Sequence, residues 1–232
     1  MARLSRLSVG GVPHLLVQRS HHQQAVFLDD SDRTLFRNLL GEAARAEGVA
    51  LHAYGLLDGE VRLLATPATA EALGRMMQAL GRRYGGAFNR RHARTGGLWE
   101  GRFRATVIEP ERHLLEAMCY VEDEANWEGG AAVADAGPMS SRGHHLGRCQ
   151  DSLVADHPVF WALGNTPFDR EAAYRALLSA GLPAREREVL EQGVHKGWPI
   201  GSPRFIETLA GQTTRRLAPL KRGRPPKSPI GV

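Results

Sequence analysis

Cysteine is nearly missing from this 232-residue chain: Cys119 and Cys149 are too few for a disulfide framework or a cysteine-rich zinc site. No run of about 18 apolar residues exists, which excludes a membrane-spanning helix of ordinary length. The basic N-terminus, "MARLSRLSVGGVPHLLVQRS", lacks the uninterrupted apolar core and small-residue cleavage site of a secretion signal, so the cytoplasm is the expected location and no membrane partner is expected. Acid is missing after Glu207, where Arg215, Arg216, Lys221, Arg222, Arg224 and Lys227 stand alone. The net charge of +5 therefore belongs to the tail, and the body before it sums to about −1. With 42% hydrophobic and 24% charged residues, the chain reads as a globular protein of one large or two small domains.

A second basic zone lies inside the body. "RRYGGAFNRRHARTGGLWEGRFR" carries Arg82, Arg83, Arg90, Arg91, Arg94, Arg102 and Arg104 against a single acid, Glu100. Guanidinium forks match phosphate oxygens in pairs, and interleaved Tyr84, Phe88, Trp99 and Phe103 offer faces on which bases can stack. The partner expected from this zone is nucleic acid. The competing interpretation is a solvated arginine-rich helix and loop.

The periodicities run in a definite order. "VPHLLVQR" is a short strand pattern, and "LDDSDRTLFRNLLGEAARAEG" is a helix opened by Asp and Ser caps and closed at Gly48. "VALHAYGLL" and "EVRLLATP" are strands joined by Asp58-Gly59, a dipeptide that favours a tight hairpin. "TAEALGRMMQALGRRYGGAFNRR" is a second helix with Leu73, Met76, Met77 and Leu80 on one face. "FRATVIE" is a strand, and Pro110 opens the helix "PERHLLEAMCYVEDEAN". Strand, helix, strand, strand, helix, strand, helix predicts an α+β fold: a ferredoxin-like split unit with an antiparallel sheet, plus one helix.

The predicted boundaries are a ferredoxin-like domain over 1–127, an irregular connector over 128–165, a helical module compatible with a helix-turn-helix over 166–212, and a basic tail over 213–232. "DREAAYRALLSAG", "AREREVLEQGVHKG" and "SPRFIETLAG" supply the helices of the module. The composition of "LKRGRPPKSP" predicts disorder, and its Gly-Arg-Pro core with Arg222, Arg224 and Lys227 looks like an AT-hook, a basic segment for a narrow A·T-rich minor groove.

With these pieces in order, the chain resembles the single-tyrosine HUH transposases of bacterial insertion sequences, including the REP-associated tyrosine transposases. "PHLLVQRSHHQQAVFLDDSDRTLF" is similar to the first strand and helix start of the family, and "LHAYGLLDGEVRLLATP" to its central hairpin. "GGLWEGRFRATVIEPERHLLEAMCYVE" is similar to the strand that runs into the tyrosine helix. "HPVFWALG", "GSPRFIETLAG" and "KRGRPPK" extend the likeness. The resemblance implies a metal-bound scissile phosphate in single-stranded DNA, attacked by a helix tyrosine that becomes linked to the 5′ side. Tyr120 falls at the nucleophile. It also implies DNA as partner, Mg²⁺ or Mn²⁺ where the chemistry is retained, and a homodimer.

At the metal the chain departs from the pattern. The two histidine positions fall on Glu60 and Arg62, with the hydrophobic Val61 kept between them. Glu60 can offer oxygen to a hard cation, but Arg62 has no lone pair to give. Two roles for Arg62 stay open: an ion pair with Glu60 that fills the vacated site, or a direct clamp on a DNA phosphate. Glu124, one turn past Tyr120, is the other candidate in this degenerate site. Glutamates late in a helix, Glu122 and Glu124 alike, are ordinarily exposed. Adjacent histidines such as His144-His145 point apart on a strand and are weak ligand candidates. The Asn-Pro-Val-Arg run that follows the tyrosine in most relatives is replaced by "DEANWEGG", and a typical Trp-Ser-Ser is Met139-Ser140-Ser141 here. The expected function is a DNA-binding transposase-family protein acting on hairpin or single-stranded DNA with impaired cleavage. The alternatives are an active transposase using Tyr120 with a carboxylate metal site, and a non-enzymatic DNA-binding regulator.

Overall fold

The computed structural model describes residues 5–123 and 139–219, and it realises the predicted order of elements. Four strands, β1 (His14–Arg19), β2 (Val49–Leu57), β3 (Glu60–Pro67) and β4 (Arg104–Val107), form one antiparallel sheet in the order β2-β3-β1-β4. Asp58 and Gly59 make the β2–β3 turn, with Leu57 opposite Glu60. Helix α1 (Asp30–Glu47) begins where the Asp29 carboxylate accepts the Asp32 amide, and it ends at Gly48, whose φ of 64° suits a residue without a side chain. Helix α2 (Ala72–Arg91) follows β3. Helix α3 (Pro110–Val121) starts with Pro110, as predicted, and stops at Val121, because Glu122 leaves helical geometry to turn its side chain inward.

Alternation along the strands builds two cores. Leu16, Val61, Leu63 and Ala65 face α1 and α2, meeting Phe36, Leu40, Leu73, Met76 and Leu80. Leu15, Val17 and Leu64 face α3, meeting Leu114, Ala117 and Met118. The second core is completed from further along the chain, by Leu146 beyond α4 (Arg142–His145), Phe160 of α5 (Pro158–Trp161), Tyr174 of α6 (Pro167–Ala180), and Leu190 and Val194 of α7 (Ala184–Lys196).

Both sheet edges are covered by segments that follow α3. Beside β2, the Leu56 amide donates to Met139 O at 2.8 Å and the Ser141 amide to Tyr54 O at 3.0 Å. Beside β4, the Ile200 amide donates to Val107 O at 2.9 Å and the Glu109 amide to Ile200 O at 2.8 Å, ahead of α8 (Pro203–Ala210). Edge backbone groups that would otherwise invite pairing with another chain are thereby satisfied within the fold. The β2 edge has one further constraint. A Cβ at Gly55 would lie 2.3 Å from Val121 O, so the end of α3 rests on the strand backbone where only glycine fits. Among the described residues, no helix is long and apolar enough to cross a membrane.

Candidate functional site

The β3 residues before and after Val61 meet the tyrosine helix. Arg62 Nε donates to Glu60 Oε1 at 2.6 Å, and Arg62 Nη1 donates to the Tyr120 carbonyl at 2.9 Å. Its guanidinium carbon stands 4.4 Å from the Tyr120 ring centroid, within cation–π range. The other Glu60 oxygen accepts from Arg19 Nε, also at 2.6 Å. Glu60 is thus held between two guanidinium groups, with both oxygens engaged. Arg19 was not singled out in the sequence; its place opposite Glu60 in the β1–β3 register is what brings it here.

Tyr120 is 2% exposed, and burial is the largest influence on its phenol, which is shifted to higher pKa with only partial relief from Arg62. Next to it is a cavity of about 310 Å³ lined by Arg19, Arg104, Tyr120, Glu191, His195 and Lys196. Arg104 Nη1 donates to His195 Nδ1 at 2.5 Å, tying β4 to α7. Arg19 also borders a second cavity of about 370 Å³ with Gln23, Asp58, Glu60 and Arg62. The cluster around Tyr120 is cationic, and α7 supplies part of it. No signal in the α7 sequence marked His195 and Lys196, since only the packing of α7 on β1 and β4 brings them beside the tyrosine.

Glu122, two residues beyond Tyr120, is buried rather than exposed. Its Oε1 accepts from His145 Nδ1 at 2.6 Å and from the Ser141 hydroxyl, and its Oε2 accepts from the Tyr174 hydroxyl at 2.7 Å. Glu124 lies outside the described residues.

The arginine-rich zone divides into several environments. Arg82 and Arg102 border a cavity of about 630 Å³ with Arg75, Phe36 and Met77. Arg83 pairs with Glu42 at 2.6 Å. Arg91 grips Asp29 with one nitrogen at 2.6 Å and Asp32 with the other at 2.5 Å, so it is engaged in ion pairs within the chain although exposed. Arg94 donates to the Gln24 side chain, and Arg90 is exposed. Trp99 packs against Phe36 and Tyr84, with ring centroids 6.3 Å apart in each case, and its indole Nε1 is buried with no hydrogen-bond partner among the described residues. Phe103 is buried beneath the Arg6 guanidinium, 3.7 Å away. Arg222, Arg224 and Lys227 of the AT-hook-like tail lie outside the described residues.

This architecture has a solved counterpart. A REP-associated tyrosine transposase bound to a REP hairpin superposes with a TM-score of 0.50 at 13% identity, covering 68% of this chain and 93% of that one. The fold is transposase-like. A protein from Deinococcus radiodurans R1, provisionally named a transposase, aligns at a TM-score of 0.37 and 21% identity over 49% of this chain and 89% of that one, too low a score to bear on the fold. No protein-family model matches the sequence, and no curated protein does.

Proposed function

We propose that this chain is a DNA-binding protein built on the transposase fold, gripping hairpin or single-stranded DNA through the cationic cleft at Tyr120 without metal-dependent cleavage. The observation that carries the proposal is the Arg19–Glu60–Arg62 arrangement against Tyr120. The donor set does not fit the divalent cation implied by the family resemblance. Arg62 has no lone pair, and its permanent charge beside Glu60 repels a second cation from the same carboxylate. A phenol shifted upward by burial is also a weak nucleophile at neutral pH.

What is left at the site suits phosphate. Arg19, Arg104 and Lys196 converge on the cavity beside Tyr120, and guanidinium and ammonium groups bind phosphodiester oxygens without reference to base identity. Arg82, Arg90 and Arg102 form a separate cationic surface on α2 and the loop after it, on the α2 side of the sheet, and Arg222, Arg224 and Lys227 add A·T-rich duplex contacts. That the structural counterpart is bound to a hairpin supports a hairpin as the DNA.

The test is fluorescence anisotropy with labelled hairpin and single-stranded DNA, in Mn²⁺ or in chelator, together with a denaturing gel. The expected result is salt-sensitive binding that chelator leaves unchanged, with no covalent adduct. Arg19→Ala and Lys196→Ala should each weaken binding roughly tenfold, the order of one lost charge-assisted hydrogen bond, whereas Tyr120→Phe should not. A metal-dependent adduct that disappears in Tyr120→Phe would establish an active transposase and overturn the proposal.

A further inference from the structure

A second polar cluster lies past the end of the tyrosine helix and takes no part in the proposed grip on DNA. His144 and His145 of α4 and Asp156, from the loop before α5, bring three ligand atoms within 4.8 Å of one another. His144 Nε2 is 3.3 Å from Asp156 Oδ1, and His145 Nε2 is 3.8 Å from the same oxygen. Adjacent histidines diverge on a strand, but these two sit on a helical turn, with ring centroids 5.3 Å apart and planes at 81°, and both Nε2 atoms converge on one carboxylate.

An independent observation points to a ligand. The His145 side chain is fully buried, and its Nε2 has no hydrogen-bond partner among the described residues. Its Nδ1–H is given to Glu122 at 2.6 Å, and Glu122 is itself fixed by Ser141 and Tyr174. In the neutral ring this leaves a lone pair on Nε2, buried and directed toward an anionic oxygen. A lone pair and a carboxylate facing each other are two donors between which a cation fits. The carboxylate behind Nδ1 is also the support that orients a metal-bound imidazole and raises its basicity.

We propose that His144, His145 and Asp156 form a binding site for a divalent transition-metal ion, with Zn²⁺ as the best fit. Two imidazoles and a carboxylate favour such an ion over Mg²⁺ or Ca²⁺. Bonds of about 2.0–2.1 Å in a tetrahedral shell place donor atoms about 3.4 Å apart. The two separations from Asp156 lie close to this, and the widest spread closes by small rotations of His144 and Asp156, which are 20% and 21% exposed. That exposure also opens a path for the ion and room for water as a fourth ligand.

His144 joins last. Its Nδ1 accepts the Asp151 amide at 3.2 Å, so the neutral ring carries its proton on Nε2 and gives it to Asp156. Coordination moves that proton to Nδ1 and ends the Asp151 contact. His145 and Asp156 are therefore the principal ligands and His144 the weaker third. The ion joins α4 to the loop before α5, and the hydrogen bond from His145 to Glu122 ties this unit to the end of α3.

The experiment uses the full chain, stripped with chelator and dialysed, then titrated with Co²⁺ by visible absorption and with Zn²⁺ by calorimetry. The expected result is about one equivalent, with the intense cobalt bands of a four-coordinate site, and a higher melting temperature with Zn²⁺. His145→Ala and Asp156→Ala should weaken binding at least 100-fold, and His144→Ala about tenfold. Replacement of the buried His145 can unfold the chain, so the partly exposed Asp156, with circular dichroism as a folding control, keeps the test decisive. Absence of Co²⁺ and Zn²⁺ binding by the parent chain would overturn the proposal. So would binding that survives Asp156→Ala but is lost in Glu60→Gln.

Discussion

On one face of the sheet, β3 presents Val61, Leu63 and Ala65 to an apolar layer from α1 and α2; on the other, the same strand presents Arg62 and Leu64 to α3, where Glu122, His145 and Tyr174 are buried close by. The first face is held by area removed from water, which is non-directional and forgives small shifts. The second is held by groups whose burial is tolerable only with partners at hydrogen-bonding distance. Apolar contact makes the domain stable, whereas the polar contacts fix where the tyrosine helix lies and what surrounds Tyr120.

Loss of one polar anchor should exceed loss of an apolar side chain, and this contrast can be broken by experiment. Glu122→Ala removes one hydrogen-bond acceptor from each of His145, Ser141 and Tyr174 at once and should cost about 4 kcal/mol of stability by urea unfolding, as for a broken buried charged pair. Leu40→Ala, a fully buried site in the α1 layer, should cost about 3 kcal/mol. A larger loss for Leu40→Ala would reverse the ranking.

Acid sharpens the comparison through two buried histidines. His14 donates from Nδ1 to Val12 O and accepts the Val9 amide, and His52 bridges Ala155 O and Thr66; burial lowers each to about 4. The unfolded chain takes up these protons near pH 6.5 and the folded chain resists until about pH 4. The contribution of these two histidines to stability is therefore complete above about pH 6.5 and is lost between about 6.5 and 4, by up to about 3 kcal/mol for each. Melting temperatures across that window should decline less steeply in His14→Gln than in the parent chain. The smallest effect is expected at the surface: Arg83→Ala breaks a half-exposed pair with Glu42 and should change stability by no more than about 0.5 kcal/mol in the same unfolding assay.

The apolar face was largely legible in the sequence. Its helices announce themselves by caps and by spacing of three and four, the hairpin by Asp58-Gly59, and the order of elements leaves few ways to lay out the sheet. The polar face was legible only in part. A same-face pair of Glu60 and Arg62 follows from strand alternation, but Arg19, which completes it, is 41 residues from Glu60. Glu122 gives no local sign of burial, because its partners Ser141, His145 and Tyr174 are 19, 23 and 52 residues further on. Trp99 is a further case: its place among arginines suggested a stacking surface, and only the path of the chain brings Phe36 and Tyr84 against it. Local pattern reports the face a residue turns to, while its partners depend on the path of the whole chain.

Gly55 carries this dependence to a single atom. It lies opposite Arg62 in the β2–β3 ladder, bridges to Ser140 on its free edge, and bears the weight of Val121 O from above. One added methyl there would act as a wedge, lifting the last turn of α3 and carrying Tyr120 and Glu122 with it. The smallest side chain in the sheet therefore sets the height of the tyrosine above it, and a conservative Gly55→Ala exchange, far outside any list of charged or nucleophilic groups, would disturb both polar clusters in a single step.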